Sequence, residues 1–210
     1  MFKDRYDAAF QLAKKLEKYK NKDGIVLAVP RGGVPLGYVI AKKLGLPLEI
    51  ILSKKIGHPN NPEYAIGAVS LHGVVVNDEV MDVSKDYIQK ESDRILHVLK
   101  EKYNLFMGNR KQTELKEKTV ILVDDGIATG STLMATIEVI KKSKPKEIVI
   151  AIPVAPPHTA QKISQLVDDF ICLITPIEFA GVGQFYKDFS QVSDEEVIHF
   201  LQDANKNRIA

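Results

Sequence analysis

The chain has one cysteine, Cys172, and no tryptophan. A lone thiol forms no intrachain disulfide, so stability must come from a packed core, and nothing calls for an oxidising compartment. Charge of one sign is also scarce. Lys and Arg number 29 against 27 Asp and Glu, a formal net charge of +2. No overall field favours nucleic acid or an anionic membrane. Lys141, Lys142, Lys144 and Lys146 cluster only as the solvated end of a helix. Long apolar runs are missing too. The opening MFKDRYDAAFQLAKKL is broken by charges throughout, so it reads as neither signal peptide nor membrane span. These absences predict a cytoplasmic protein with no membrane and no nucleic-acid partner. Two nucleotide-binding signatures are missing as well: G-x-x-x-x-G-K-[ST], and G-x-G-x-x-G after the first strand. There is no internal repeat and no linker. With 210 residues, 45% of them hydrophobic, the chain reads as a single domain over 1–210.

Periodicity supplies the elements. Ala8, Ala9, Leu12, Ala13 and Leu16 recur at helical spacing within 4–19. IVLAV, after Gly24, reads as a buried strand ending at PRGG, residues 30–33. VPLGYVIAKKLG is a helix stopped by Gly45, and PLEIILSKK a second strand ending at Lys54 and Lys55. GHPNNPEY (57–64) is punctuated as a loop. AIGAVSLHGVVVND reads as β-rich with a turn at His72–Gly73. Residues 84–106 form an amphipathic helix with Ile88, Ile95, Leu99 and Leu105 inward. Thr119 to Val123 is a strand, STLMATIEVIKKS a helix, EIVIAIPVA a strand and HTAQKISQLV a helix. DFICLITP is a last strand holding Cys172 as a buried thiol. FAGVGQFYKDFS is an irregular aromatic loop, and DEEVIHFLQDA a helix capped by Ser193. Strands alternating with helices, the central ones continuously apolar, predict an α/β fold: a Rossmann-like parallel sheet flanked by helices.

VILVDDGIATGST, residues 120–132, breaks that regularity. A buried strand runs into two carboxylates, Asp124 and Asp125, and then a turn of small residues and hydroxyls, Ala128-Thr129-Gly130-Ser131-Thr132, that opens a helix. In open α/β sheets ligands bind beyond the carboxyl ends of strands. Small residues let backbone N–H groups converge, and the helix dipole adds to them, so the turn is an anion cup sized for one phosphate. Carboxylates repel phosphate and suit hydroxyl donors, a metal, or both. A diol beside a phosphate is the chemistry of ribose 5-phosphate.

On these residues the sequence resembles the type I phosphoribosyltransferases, whose signature is an apolar strand, two acids, a few small or apolar residues, then T-G-x-[ST]. The resemblance implies that Asp124 and Asp125 take the ribose hydroxyls of phosphoribosyl pyrophosphate (PRPP). It likewise implies that Gly126 and the turn Ala128, Thr129, Gly130, Ser131 and Thr132 take its 5-phosphate. VPRGG is similar to the family's pyrophosphate loop. Arg31, Gly32 and Gly33 would then meet the pyrophosphate, and the Pro30–Arg31 peptide is expected to be cis. Asp124, Asp125 and Arg31 are the implied catalytic set. The fold implied carries a small variable hood at about 176–192, with the N-terminal helix and the helix at 84–106 as embellishments. The D-R-x-D-A opening and late aromatic loop make the chain most similar to uncharacterised bacterial and archaeal members.

The reaction implied is displacement of pyrophosphate by a nitrogenous base through an oxocarbenium-like transition state. Mg²⁺ is the cofactor implied, held mostly by substrate and water, and no protein ligand set is assigned to it. Lys54 and Lys55 would add phosphate contacts. The 57–64 loop would close over the site, with Glu63 a general base and His58 a phosphate contact. Phe179, Val182, Phe185 and Tyr186 are the candidate acceptor site, where a nucleobase-like molecule would stack. The 6-oxopurine enzymes carry an acid where this chain has Ala128, which points away from hypoxanthine and guanine. Adenine is favoured among known acceptors, with an unrecorded acceptor left open. The resemblance also implies a homodimer. The alternative function is a PRPP-sensing regulator that binds without transfer.

Overall fold

The computed structural model describes residues 1–77, 82–108 and 110–206. Asp78, the last residue of the predicted β-rich segment, lies outside them. Five parallel strands form the main sheet: β1 Gly24–Ala28, β2 Leu48–Ile50, β6 Thr119–Val123, β7 Glu147–Val154 and β8 Asp169–Ile174, in the order β2-β1-β6-β7-β8. The predicted α/β architecture is therefore found.

Period-2 alternation distributes the core to both faces. Ile25, Leu27, Val120, Leu122 and Ile150 pack with Ile137 and Ile163, from helices α4 Ser131–Lys142 and α5 Pro157–Ser164. Val26, Ala28, Ile121, Val123 and Val149 pack with Leu12, Ile40 and Leu201, from α1 Arg5–Lys15, α2 Gly33–Leu44 and α6 Asp194–Asn205. At about 25 cal/mol per Å² of apolar surface, this two-faced burial is the main term favouring the fold. Ser193 caps α6 through a capping box with Glu196.

Strand order places the site. From β1 the chain crosses to β2 on one side; from β6 it steps to β7 and β8 on the other. The carboxyl ends of β1 and β6 thus flank the switch point where open sheets bind ligands.

Four expectations need correction. PLEIILSKK is two strands. β2 ends at Ile50 and the chain turns at Ile51–Leu52 into β3 Ser53–His58, which belongs to a separate antiparallel sheet with β4 Asn61–Ser70 and β5 Gly73–Val76. No glycine or proline marks that turn, so the run reads as continuous. GHPNNPEY is not a structureless loop but the tip of the β3–β4 hairpin. The predicted turn between β4 and β5 is present. Helix α3 Lys85–Met107, capped by Ser84, keeps Ile95 and Leu99 buried and Ile88 partly so, but Leu105 is 56% exposed. Phe106 and Met107 are buried instead. Cys172 is half-buried rather than buried; its Sγ–H donates to the Ile174 carbonyl at 3.1 Å.

Candidate active site

Two loops meet beyond the ends of β1 and β6. The β1 loop contains the cis Pro30–Arg31 peptide and runs through Gly32 into α2. A β-carbon on Gly32 would stand 1.9 Å from Asp125 Oδ2, and one on Gly33 2.7 Å from the Val123 carbonyl oxygen. Both glycines are thus required by close approach of the loops.

The β6 loop carries the acids. Asp124 Oδ1 accepts from the Asp125 N–H at 2.8 Å. Burial pushes the Asp124 carboxyl well above the usual carboxylate range, and the charge of Asp125 adds to the shift. Burial also raises Asp125, against the opposing pull of Arg5. Arg5, from α1, reaches Asp125 Oδ2 through Nε at 3.0 Å and Nη2 at 2.9 Å. Its Nη1 donates to the Ser190 carbonyl at 2.8 Å, and its guanidinium sits 4.0 Å above the Phe189 ring.

The turn after the acids forms a cup. Gly126 has φ +155°, and its α-carbon faces Val182 so closely that a β-carbon would lie 2.5 Å from Val182 Cγ1. Thr159 Oγ1 donates to the Ala128 carbonyl at 2.8 Å, and the Ile127 N–H to Val154 at 2.9 Å, so the turn is pinned from β7 and α5. Gly130, at φ +72°, is the N-cap of α4. Thr129 and Ser131 hydroxyls lie 3.1 Å apart. Among the described residues, the N–H groups of Ala128, Thr129 and Gly130 have no protein acceptor. With the helix N-terminus behind them, these donors suit an anion.

A cleft of about 380 Å³ opens beside the acids, lined by Pro30, Ser53, Lys54, Val98, Lys102, Asp124 and Thr132, among others. A larger hollow of about 430 Å³ lies at the opposite end of the sheet, around Lys144, Lys146 and Asp168, away from this convergence of loops.

The predicted residues divide accordingly. Lys54 lines the cleft with Asp124 and Thr132. Lys55, its neighbour in β3, lines a separate groove against α4 with Ser131 and Met134. Both lysines lie within β3, not at a strand end in the main sheet. Arg31 is exposed and pairs loosely with Asp194, at 3.4 Å. His58 pairs with Asp82 at 3.1 Å and Glu63 is exposed, and neither lines the cleft. Phe179 and Phe185 stack at 5.5 Å, half-buried. Tyr186 is buried; its hydroxyl donates to the Asp125 carbonyl at 2.6 Å and its ring stacks on Phe189.

Two residues escaped the sequence reading. Arg5 sits in the quoted opening motif, yet nothing local ties it to a residue 120 positions away. Lys102 comes from α3, read as an embellishment. Its neighbour Tyr103 donates to the buried Glu49 of β2 at 3.3 Å, which docks α3 beside the cleft.

A family model described as a phosphoribosyl transferase domain matches residues 4–188. Two Mycobacterium tuberculosis proteins, MT0597 and Rv0571c, each provisionally named a phosphoribosyl transferase, are 36% identical over 214 residues. The match covers 99% of this chain, which spans about half (48%) of the length of those relatives. The structure of TT1426 from Thermus thermophilus superposes with a TM-score of 0.85 at 34% identity, covering 96% of this chain and 98% of that one. The AQ2163 protein of Aquifex aeolicus shares the fold, at TM-score 0.50 and 13% identity, covering 80% of this chain and 73% of that one.

Proposed function

The chain belongs to the phosphoribosyl transferase domain family, and from that premise we propose that it transfers ribose 5-phosphate from PRPP to a nitrogenous base and releases pyrophosphate. One observation carries the reading. The carboxylates of Asp124 and Asp125, the donor cup at 128–132 and the Arg31-Gly32-Gly33 loop converge at a single sheet switch point. A sugar phosphate needs that combination: acceptors for hydroxyls beside donors for phosphate.

In this reading the cup and the Thr129, Ser131 and Thr132 hydroxyls hold the 5-phosphate, and the acids accept from the ribose hydroxyls. Lys54 and Lys102, across the cleft, face the pyrophosphate as it gains charge. Arg31 joins them by leaving its weak contact with Asp194. The half-buried Phe179–Phe185 pair, next to Val182 over Gly126, is the surface on which a flat base would stack.

The donor set fits a magnesium ion carried mainly by its substrate. Asp124 faces the cleft, and no group of three or more His, Cys, Asp or Glu gathers among the described residues. Mg²⁺ bound with PRPP would offset the charge of the departing pyrophosphate, and Asp124 is the side chain placed to meet it. The protein's own part is positioning and fixed electrostatics.

The test is pyrophosphate release from PRPP and Mg²⁺ with a panel of nucleobases, with Asp124→Asn as control. Release that needs one base and disappears in the control supports transfer. PRPP binding without release from any base favours a PRPP-binding regulator. No PRPP binding would sink the proposal.

A further inference from the structure

We infer that Arg5 is a positioning residue that divides the acidic pair: it takes up the charge of Asp125 at Oδ2 and holds that carboxylate against the Gly32 loop, leaving Asp125 Oδ1 and the whole of Asp124 to accept from the ligand. The identity of that ligand rests on the function proposed above.

Two contacts from Arg5 converge on one oxygen, Asp125 Oδ2, at 3.0 and 2.9 Å. The pair is well shielded, with side chains only 10% and 14% exposed. Every side of Arg5 is engaged: Ser190 carbonyl at 2.8 Å, Phe189 ring at 4.0 Å. The backbone supports the same arrangement. The Phe2 N–H donates to the Phe185 carbonyl at 2.8 Å and the Lys187 N–H to the Phe2 carbonyl at 2.9 Å, tying the start of the chain to the hood segment. Tyr186, in that segment, donates to the Asp125 carbonyl. Asp124 has no such partner among the described residues, beyond the Asp125 N–H.

The physical need is plain. Two adjacent carboxylates withdrawn from water repel each other, and one tends to keep its proton. A guanidinium that is always charged removes the repulsion at one of them. It also leaves the second free to bind hydroxyls or a metal-bound ligand. Because Asp125 Oδ2 abuts Gly32, the same ion pair sets the position of the loop that carries Arg31. An N-terminal helix outside the sheet thus governs both halves of the site.

The experiment compares wild type, Arg5→Met, Asp125→Asn and the double variant. Calorimetric titration with Mg²⁺ and PRPP is paired with carboxyl NMR titration of the ligand-free proteins. The groups facing Asp125 are Arg5, Asp124 and the Tyr186 hydroxyl. Arg5→Met should weaken PRPP binding by about tenfold or more and move the Asp125 titration to higher pH. Adding Asp125→Asn to Arg5→Met should recover most of the lost affinity, because the uncompensated carboxylate is gone. Losses that simply multiply would overturn the inference. If wild type binds no PRPP, the substrate reading fails while the NMR titration still decides. An Asp125 titration unmoved by Arg5→Met overturns the division of the pair; an upward shift supports it. Should Arg5→Met not fold, Arg5→Gln keeps a donor but not the charge. PRPP affinity and an Asp125 titration equal to wild type in that variant would also overturn it.

Discussion

A β-carbon on Gly32 would stand 1.9 Å from Oδ2 of Asp125, so the two loops of the candidate site touch with no room for a side chain between them. Gly32→Ala must displace either the acid or the loop. Overpacking of this kind costs about 1–3 kcal/mol, and here it also disturbs the Arg5 pair. Thermal unfolding should fall, and PRPP affinity should drop by about tenfold or more. Unchanged values for both would mean that Asp125 swings freely.

Gly130 ends the cup at φ +72°, and a β-carbon there would lie 2.8 Å from Thr159 Cγ2. Alanine at a left-handed position is strained, by about 1 kcal/mol before any clash. Gly130→Ala should therefore lower both the melting temperature and the affinity for ribose 5-phosphate. Loss of stability without loss of ribose 5-phosphate binding would place the phosphate elsewhere.

Lys54 and Lys102 reach the same cleft from β3 and α3. Hydrogen bonds to charged groups contribute about 1.5–3 kcal/mol. Lys54→Ala and Lys102→Ala should each weaken pyrophosphate binding about tenfold or more, and Lys55→Ala, whose side chain lines another groove, far less. Added salt should narrow the difference. Calorimetry with pyrophosphate reads all three.

His72 lies in the turn between β4 and β5, where burial pulls its pKa from 6.5 down to about 4. Gln112 Nε2, a donor, sits 2.8 Å from His72 Nε2, which must accept and so stay neutral. The folded pKa lies below the unfolded one, so this contribution is complete above pH 6.5 and is lost as pH falls toward 4. Between pH 6.5 and 5 the loss should be about 2 kcal/mol. Denaturant unfolding at the two pH values measures it, and His72→Gln should flatten the dependence.

The turn proposed to take the phosphate was legible because its chemistry is local. Asp124 and Asp125 end a strand, and Gly130 with its hydroxyl neighbours opens a helix, all within thirteen residues from 120 to 132. The Arg-Gly-Gly turn was legible for the same reason. The alternation of strands with helices was enough for a parallel sheet, because continuous apolar strands must be covered on both faces. The sequence by itself therefore determined the fold class and the position of the candidate loops at strand ends.

Packing across the chain decided the rest. That Arg5 engages Asp125, that Lys102 joins Lys54, and that Tyr186 serves the Asp125 backbone all depend on elements far apart in sequence. The departure of β3 from the main sheet followed a turn with no glycine or proline to announce it. On α3, the inward role of Phe106 and Met107 in place of Leu105 depended on which helix face the neighbouring elements covered. A charge's partner is set by three-dimensional proximity and shared burial, and neither is written in the spacing of residues along the chain.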